Sequence, residues 1–240
     1  MADIPLALVT GAAHRLGKAF ALALARRGYA LLLHYHASGD AAEATAVEAR
    51  GLGVPVCPVQ ADLTTEAGLE VLAAALTGLP HPWRVLVNSA AVMPRRDLRS
   101  LPADEWDATF ALNLRAPFRL GQMAAEHMAA GGLIVNVTDV GAQKAWSGFP
   151  AYTVSKAALE SLTRVQARAF APGIRVNAIA PGLVLPASSM PAEEWDRLVG
   201  RSPLRRPVST DEIAAALDFL LDNEAVTGQV LAVDGGYALL

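Results

Sequence analysis

Short, uniformly apolar runs alternate along the chain with longer amphipathic stretches rich in alanine, and this alternation restricts the possible folds most strongly. An apolar run without polar alternation predicts a strand that is covered on both faces, as in a parallel sheet. Strands that alternate with helices predict a doubly wound α/β fold with right-handed crossovers. We therefore expect residues 1–240 to form a single domain with a parallel seven-stranded sheet and helices on both faces.

The boundaries of these elements follow from the ends of the apolar runs and from the positions of glycine and proline, which interrupt regular structure. The predicted strands are residues 6–10, 30–35, 54–60, 85–88, 133–138, 175–179 and 230–233. The predicted helices are residues 17–27, 39–50, 69–76, 104–130, 152–170 and 211–221, with a short helical piece at 192–199.

The composition of the 240 residues excludes several classes of protein. Hydrophobic residues make up 53% and charged residues 18%, which is too apolar for a disordered chain. The net charge of −3 argues against a nucleic-acid-binding module, which needs a basic surface. The single cysteine, Cys57, cannot form a disulfide within the chain, which fits a reducing compartment.

Targeting and metal signals are missing from the sequence as well. The N-terminus shows no basic, apolar leader, and no apolar run approaches the length of a membrane span. We therefore expect a soluble cytoplasmic protein with no membrane partner. The five histidines have no carboxylate or cysteine neighbours at ligand spacing, so the sequence predicts no metal site.

A long insertion late in the chain, residues 181–209, departs from the strand–helix alternation. It is rich in proline, and its helical piece at 192–199 is short. In doubly wound folds, ligands bind beyond the carboxyl ends of the strands, and this insertion follows a predicted strand there. Long loops of this kind are usually functional, so we interpret 181–209 as a substrate loop or lid. The alternative is a surface excursion without a role.

A glycine-containing turn, T-G-A-A-H-R-L-G at residues 10–17, joins the first predicted strand to the first helix. Glycine permits a tight turn and a close approach of the backbone to a pyrophosphate. The start of the helix adds unpaired N–H groups and a positive dipole end, which attract anions. The turn indicates a dinucleotide site, although a strand-to-helix turn of this type can be purely structural.

The end of the second predicted strand indicates which dinucleotide binds. Enzymes that use NAD usually place a carboxylate there to bind the ribose 2′-hydroxyl. This chain has L-L-H-Y-H-A-S at 32–38 and no carboxylate until Asp40. An anionic 2′-phosphate would be attracted by Arg15, His36 and Ser38, so we predict NADP(H). We expect only one of the two histidines, His34 and His36, to contact the cofactor, and we choose His36; the alternative for either is packing.

Tyr152 and Lys156, in Y-T-V-S-K, form a candidate acid–base pair at the start of a predicted helix. Their i,i+4 spacing places both on one helix face. The reference pKa of tyrosine is near 10, and a nearby ammonium lowers it towards the range useful for proton transfer. An isolated Tyr–Lys pair is more often ordinary helix surface.

These motifs, taken in order, resemble those of the short-chain dehydrogenase/reductase family. The turn resembles T-G-x-x-x-G-x-G with Arg15 in place of the middle glycine, and N-S-A-A at 88–91 resembles N-N-A-G. The resemblance implies a Rossmann-type domain in which Asn113 kinks a helix and relays a proton through water to Lys156. It also implies contacts of Asp62 with adenine. The implied cofactor-binding residues are Gly11, His14, Arg15, Leu16, Tyr35, His36, Ser38, Asp62, Leu63, Asn88, Ser89, Ala90, Tyr152, Lys156, Pro181 and Gly182.

One catalytic position differs from the family pattern. The family usually has a serine about a dozen residues before the tyrosine, and here that position is Asp139, with Thr138 as a neighbouring hydroxyl that could substitute. An ionised carboxylate would raise the pKa of Tyr152 and could not donate to a carbonyl. It could accept hydrogen bonds from the amino or ring N–H groups of a substrate. This favours a nitrogen heterocycle or a C=N bond over a simple ketone.

Asp139, the arginine-containing turn and L-H-Y-H-A-S together resemble one branch of the family, the pteridine reductases. The resemblance implies hydride transfer from NADPH to a pterin, with Asp139, Tyr152, Lys156 and Asn113 catalytic. Two positions depart from the branch, since Ala91 and Met93 stand where a serine and a stacking phenylalanine are usual. The implied substrate-binding residues are Arg15, Met93, Asp139, Trp146, Phe149 and Tyr152.

Two other functions are compatible with the sequence. One is a carbonyl or alcohol reductase, for example of ketones or 3-oxoacyl compounds, in which Asp139 merely replaces the serine. The other is a cofactor-binding regulator without activity, against which the intact Tyr–Lys–Asn set argues. The apolar surface of the helices at 104–130 and 152–170, which family members commonly pair, predicts a homotetramer.

Overall fold

The computed structural model describes residues 4–187 and 190–240, and over these residues the predicted strands form one sheet. All neighbouring strands pair in parallel, in the order β3-β2-β1-β4-β5-β6-β7. The predicted doubly wound α/β fold with seven parallel strands is therefore confirmed. The strands are β1 (Leu6–Val9), β2 (Ala30–Tyr35), β3 (Val56–Gln60), β4 (Trp83–Asn88), β5 (Gly132–Val137), β6 (Ile174–Pro181) and β7 (Val230–Val233).

Successive residues of each central strand point into two different cores, which explains why the strands lack polar alternation. In β1, Ala7 and Val9 belong to one core, which also contains Phe20, whereas Leu6 and Leu8 belong to the core on the opposite face. The helices that cover the two faces are α1 (Arg15–Arg26), α2 (Gly39–Arg50), α3 (Glu66–Gly78), α4 (Ala103–Phe110), α5 (Ala116–His127), α6 (Pro150–Phe170), α7 (Ala192–Arg201) and α8 (Thr210–Asp222).

The predicted continuous helix at 104–130 is wrong in two respects. A π-helical turn, Ala111–Arg115, separates α4 from α5 and contains the buried Asn113. The extra residue in such a turn re-aims side chains and occurs frequently at functional sites. The helix also ends at His127 rather than at residue 130, because Met128 has an extended backbone conformation.

The sheet topology creates the place where a ligand can bind. β1 lies between β2 and β4, so the chain leaves β1 towards one side of the sheet and later returns on the other. The crevice at such a switch point, beyond the carboxyl ends of the strands, is where open α/β sheets bind ligands. The turn after β1 is closely packed there: Gly11 has φ +65°, and a Cβ on this residue would lie 2.9 Å from Ala90 Cα.

Gly17, two residues into α1, is required for the same close packing. A Cβ at this position would lie 2.1 Å from the Gly11 carbonyl oxygen. Because this oxygen belongs to the backbone, a side chain at residue 17 would force the turn and the helix apart. We predict that Gly17→Ala lowers the free energy of unfolding by about 1–3 kcal/mol, as for overpacked cores. Thermal unfolding measures this as a reduced Tm.

Gly78→Ala is the matched control for this substitution. Gly78 ends α3, and a Cβ there would meet no atom within 4 Å. We expect this variant to be neutral or more stable by about 0.4–1 kcal/mol, because alanine restricts the unfolded chain. Equal Tm values for the two variants would contradict the packing described for the turn.

The segment predicted as a lid, 181–209, leaves the sheet at the end of β6 and contains α7 before the chain enters α8. Residues 188–189 of this segment lie outside the described residues. No residue of α7 is buried, so the helix lies on the surface of the domain. Among the helices of the described residues, none combines the length and the apolar character needed to cross a bilayer.

Candidate active site

Asp139 and Tyr152 meet in the crevice at the ends of the strands. The Tyr152 hydroxyl donates to Asp139 Oδ2 at 2.7 Å, and the Gly141 amide donates to Asp139 Oδ1 at 2.6 Å. Asp139 is the N-cap of a short 3₁₀ helix, Val140–Gln143, and Tyr152 lies in the first turn of α6. The loop between the two residues thus brings the Asp139 carboxylate against the Tyr152 phenol. The residue that contacts Tyr152 is Asp139, which the sequence analysis prefers over Thr138.

Lys156 lies one turn further along α6, behind this pair. Its side chain is 3% exposed, and its Nζ donates to the Val137 carbonyl at 2.7 Å. The same ammonium lies 5.7 Å from the centroid of the Tyr152 ring. Burial lowers the pKa of Lys156 to about 8, against the opposing attraction of the Asp139 carboxylate. The residue can therefore gain or lose its charge near neutral pH.

The pKa of Tyr152 is raised well above its ordinary value, in the direction expected from Asp139 and opposite to the lowering expected from Lys156. Burial has the largest effect, and the charge and hydrogen bond of Asp139 act in the same direction. Burial likewise raises the pKa of Asp139, although its bonds from Tyr152 and Gly141 and the charge of Lys156 oppose the rise. Both groups therefore hold a proton more tightly than a free phenol or a free carboxyl group would, so each is available as a donor but is a weaker acid.

Asn113 is fully buried and ties three parts of the site together. Its amide exchanges two hydrogen bonds with the backbone of Val92, each 2.9 Å long. Its Nδ2 also donates to Ser155 Oγ at 3.1 Å, and Ser155 Oγ donates to the Tyr152 carbonyl at 2.7 Å. Asn113 therefore fixes both the loop after β4 and the first turns of α6. Its predicted relay to Lys156 stays a prediction.

His34, rather than His36, organises the turn after β1. The Gly11 amide donates to His34 Nδ1 at 3.1 Å, so Nε2 carries the proton and donates to the Ala61 carbonyl at 3.0 Å. Burial lowers the pKa of His34, which keeps the ring neutral. His34 is thus a packing residue that links the turn after β1 to the end of β3. This agrees with packing as the alternative role of a histidine at the end of β2.

His36 and Ser38 lie just beyond the end of β2, where the sequence predicts that the 2′-phosphate of NADP(H) binds. The His36 ring is exposed, and Ser38 is the N-cap of α2 with a hydroxyl that caps no amide. Tyr35 is half-buried beside Gly39. Asp40, in the first turn of α2, is the first carboxylate after the strand. The hydroxyl and the imidazole remain available to an anion.

Asp62 and Leu63 follow β3, where the family resemblance implies contacts with the cofactor. Asp62 Oδ1 accepts from the amide of Thr64 at 2.9 Å and from its hydroxyl at 2.7 Å. These bonds hold the pKa of Asp62 below its ordinary value. The Leu63 side chain is 3% exposed and belongs to the core, so its backbone groups are the part that could contact a ligand.

Arg15 points to the segment predicted as a lid. Its backbone has φ +55°, and its guanidinium donates to the Leu185 and Pro186 carbonyls at 2.9 and 3.0 Å. Arg15 therefore connects the turn after β1 to the 181–209 segment, instead of lying with His36 and Ser38 beyond the end of β2. His14, the N-cap of α1, is exposed, and Leu16 packs partly against the core.

The turn after β4 is fixed to the turn after β1. Thr10 Oγ1 accepts from the amides of Ser89 and Ala90 at 2.9 and 3.1 Å. Asn88 Nδ2 donates to Asn136 Oδ1 at 2.8 Å, while the buried Asn88 Oδ1 has no protein partner among the described residues. Pro181 is buried at the end of β6. The adjacent Gly182 is closely packed, since a Cβ there would lie 2.7 Å from Asp234.

Trp146 and Phe149, the aromatic residues predicted to bind substrate, pack together next to Gly141 and Asp139. Trp146 contacts Gly141 so closely that a Cβ on the glycine would lie 2.5 Å from the indole ring. Trp146 and Phe149 meet edge to face with centroids 6.3 Å apart, and Tyr237 packs on Trp146 from the C-terminal end at 6.5 Å. Met93 is 43% exposed on the loop after β4. This side of the site therefore has aromatic walls beside Asp139.

The residues of the turn after β1 fit a dinucleotide. Gly11 and Gly17 allow the backbone to approach closely, the first turn of α1 has no acidic residue, and its N-cap makes no side-chain bond. These properties leave N–H groups and a positive dipole end facing the crevice. Among residues 4–187 and 190–240, no group of three histidine, cysteine, aspartate or glutamate side chains could bind a metal ion.

Comparison with known proteins identifies the family. A family model described as enoyl-(acyl carrier protein) reductase matches residues 11–238. The chain belongs to the short-chain dehydrogenase/reductase family. The chain is 36% identical over 247 aligned positions to a 1-cyclohexenylcarbonyl-CoA reductase from Streptomyces collinus, covering 98% of this chain and 87% of that one. It is 31% identical to a 3-oxoacyl-[acyl-carrier-protein] reductase from Staphylococcus epidermidis, covering 96% and 97%.

A solved structure from the same family is closely similar. It is described as FolM alternative dihydrofolate reductase 1 from Brucella canis, complexed with NADP. The TM-score is 0.94 with 36% sequence identity, and the match covers 100% of this chain and 96% of that one. Membership of the family makes the chain an oxidoreductase of short-chain type. The names of these relatives indicate different substrates, so membership of the family alone does not determine the substrate of this chain.

Several site residues were not assigned a role from the sequence. Ser155 lies within the Y-T-V-S-K motif, yet its link between Asn113 and Tyr152 depends on side-chain direction rather than spacing. The carbonyl of Val137 and the amide of Gly141 are backbone groups, which no residue-type pattern reveals. Tyr237 reaches Trp146 from the far end of the chain and has no local signal.

Proposed function

We propose that this chain is an NADPH-dependent reductase of a dihydropteridine ring. The observation that carries the proposal is the 2.7 Å hydrogen bond from Tyr152 to the Asp139 carboxylate, with Lys156 buried behind it. A carboxylate can accept hydrogen bonds from the amino and ring N–H groups of a pterin. A serine hydroxyl carries no charge, so its hydrogen bonds to these groups are weaker. The similarity to the FolM dihydrofolate reductase supports the same substrate class.

NADP(H) is the proposed cofactor. The end of β2 offers the exposed His36 and the uncapped Ser38 hydroxyl to a 2′-phosphate and carries no carboxylate before Asp40. The FolM structure from Brucella canis is complexed with NADP. NADPH, when bound, supplies the hydride of the reduction. Equal affinities for NADPH and NADH in a titration would contradict this assignment.

The side chains of the site supply the proton that accompanies the hydride. When Asp139 is ionised, its carboxylate accepts the Tyr152 O–H. When Asp139 is protonated, it can donate to Tyr152 Oη, which leaves the tyrosine O–H free to donate to a ring nitrogen of the substrate. The proton then passes from Asp139 to the phenol oxygen while the tyrosine proton moves to the nitrogen. The raised pKa of Asp139 increases the population of this donor state.

Lys156 and Asn113 position the pair and tune its charge. The Lys156 ammonium opposes the rise in the pKa of Asp139 and is itself fixed by the Val137 carbonyl. Asn113, through Ser155, fixes the turn of α6 that carries Tyr152. Trp146 and Phe149 form an apolar wall on which a flat heterocycle can lie, and Met93 packs from the opposite loop in this proposal.

A second candidate is reduction of a thioester-linked carbonyl compound. The name of the relative from Staphylococcus epidermidis, a 3-oxoacyl-[acyl-carrier-protein] reductase, favours it. In that reaction Tyr152 would donate to a carbonyl oxygen, and Asp139 would only orient the phenol. The two candidates differ in whether the carboxylate contacts the substrate.

NADPH oxidation by the purified protein separates the two candidates. We expect turnover with dihydrobiopterin or dihydrofolate and at most weak turnover with an acetoacetyl thioester or a simple ketone. Turnover of the thioester without turnover of either pterin would replace the proposed function by the second candidate. No turnover of any of these compounds, together with tight NADPH binding, would instead favour a cofactor-binding regulator.

The outer faces of α5 and α6 support the proposal of a homotetramer. Phe118 on α5 is 42% exposed, and Val154 and Val165 on α6 are 46% and 61% exposed. Large apolar side chains grouped on neighbouring helices typically mark association surfaces. We expect a mass of four chains in light scattering at micromolar concentration, and Val165→Glu to shift it to smaller species. A monomeric wild-type protein under these conditions would contradict the tetramer.

A further inference from the structure

The loop after β4 carries three arginines, and one of them has no acidic partner. Arg96 pairs with Glu105 at 2.9 Å, and Arg99 lies 3.9 Å from Asp97. Arg95 forms no ion pair with any of the described residues. Its guanidinium carbon lies instead 6.0 Å from the centroid of the Phe149 ring. An arginine placed on an aromatic face keeps its N–H groups available to an anion.

Arg95 has a defined position because the loop is fixed on both sides of it. On one side, Val92 exchanges two backbone hydrogen bonds with the buried side chain of Asn113. On the other side, the Arg96 amide donates to the Gly148 carbonyl at 3.0 Å. The loop after β4 is thereby joined to the loop that leads into α6. Arg95 lies at this junction, on the rim of the crevice.

The groups from the centre of the site to its rim follow a chemical order. The Asp139 carboxylate lies innermost, and Trp146 packs beside it against Gly141. Phe149 contacts Trp146 edge to face at 6.3 Å, and Arg95 lies beyond Phe149. The order is therefore an acceptor for N–H groups, then aromatic surface, then an unpaired cation. A complementary ligand carries a nitrogen heterocycle, an aromatic linker and an anionic end.

We infer that Arg95, seated on Phe149, binds an anionic distal group of the substrate and makes the site selective for folate-type pterins over unconjugated ones. This inference rests on the proposed function. In dihydrofolate, a pteridine ring is joined through an aminobenzoyl ring to a glutamate, which matches the three groups in sequence. The guanidinium can bind a carboxylate through two parallel hydrogen bonds. An unconjugated dihydropterin has no group that reaches Arg95.

The test compares two substrates across three proteins. The ratio of kcat/KM for dihydrofolate to that for dihydrobiopterin is measured for the wild type, Arg95→Gln and Arg99→Gln. Arg99 is the matched control, since it belongs to the same loop and its side chain is 92% exposed. We expect the ratio to fall about two- to fivefold in Arg95→Gln, through a higher KM for dihydrofolate, because an ion pair at an exposed site has a modest strength. Arg99→Gln should keep the wild-type ratio.

Added salt provides a second readout of the same contact. The KM of the wild type for dihydrofolate should rise with NaCl, and this dependence should be weaker in Arg95→Gln. A ratio that is unchanged in Arg95→Gln, or that falls equally in Arg99→Gln, would overturn the inference while leaving the proposed function in place. A wild type that reduces neither pterin would overturn the proposed function, and the assignment of Arg95 with it.

Discussion

Tyr152→Phe is expected to lower kcat for dihydropterin reduction by about 10²–10⁴, the range that a positioned proton donor contributes. The substitution removes only the hydroxyl that donates to Asp139 at 2.7 Å. The ring is 7% exposed and keeps its packing, so the fold and the turn after β1 should be unaffected. We expect NADPH still to bind, with a Kd measured by fluorescence that rises by no more than about tenfold, because the substitution removes at most one hydrogen bond to the cofactor.

Tyr29→Phe is the matched control for the loss of a phenol hydroxyl. Tyr29 is half-buried and directly precedes β2, at the end of the strand opposite to the crevice. We expect this variant to keep the wild-type kcat. If Tyr152→Phe retained full activity with intact cofactor binding, a tyrosine-independent proton source or a non-catalytic role would have to replace the mechanism proposed above.

Asp139→Asn is expected to reduce kcat by at least about 10² and to change its pH dependence. Asparagine has nearly the same shape and can still accept hydrogen bonds through its oxygen, but it cannot take up or release the proton. Reduction consumes a proton, and the protonated form of Asp139 is the donor. In the wild type the rate should therefore fall as the pH rises above the raised pKa of Asp139. Because Asp139 and Tyr152 are coupled, the profile reports an apparent pKa of the pair.

The pH profile distinguishes proton delivery from simple orientation. We expect the fall in rate that is due to the Asp139–Tyr152 pair to be absent in Asp139→Asn. Asp211→Asn, on the exposed first turn of α8, serves as the control and should keep the wild-type profile. An Asp139→Asn enzyme with the wild-type profile and rate would show that the carboxyl group does not exchange the proton of the reaction.

The fold could be predicted from the sequence because it depends on burial. In β1, four consecutive apolar residues point alternately into the two cores on opposite faces of the sheet. The apolar residues of β4 and β5 are divided between the two cores in the same way, so these segments also lack the polar alternation of a strand with one exposed face. The ends of elements were less predictable. The π turn at Ala111–Arg115 depends on the tertiary contacts of the buried Asn113, which a periodic pattern does not contain.

The candidate site was predictable where motif spacing determines position, and not where side-chain direction does. The spacing of Asp139, Tyr152 and Lys156 places all three at one end of the sheet, as the structure shows. The direction of Arg15 depends on the carbonyls of Leu185 and Pro186, more than 160 residues away in sequence. The pKa of Tyr152 depends on how deeply the phenol is buried and on its contact with Asp139, and the sequence alone gives the size of neither effect.

A structure of the protein with NADP and a pterin tests the central claim most directly. We predict a pteridine ring beside Trp146, with an amino or ring nitrogen within about 3 Å of the Asp139 carboxylate or the Tyr152 hydroxyl. A pterin bound elsewhere, or an Asp139 carboxylate that still contacts only Tyr152 and Gly141 while the ring lies against other groups, would contradict a role of this carboxylate in recognising the heterocycle.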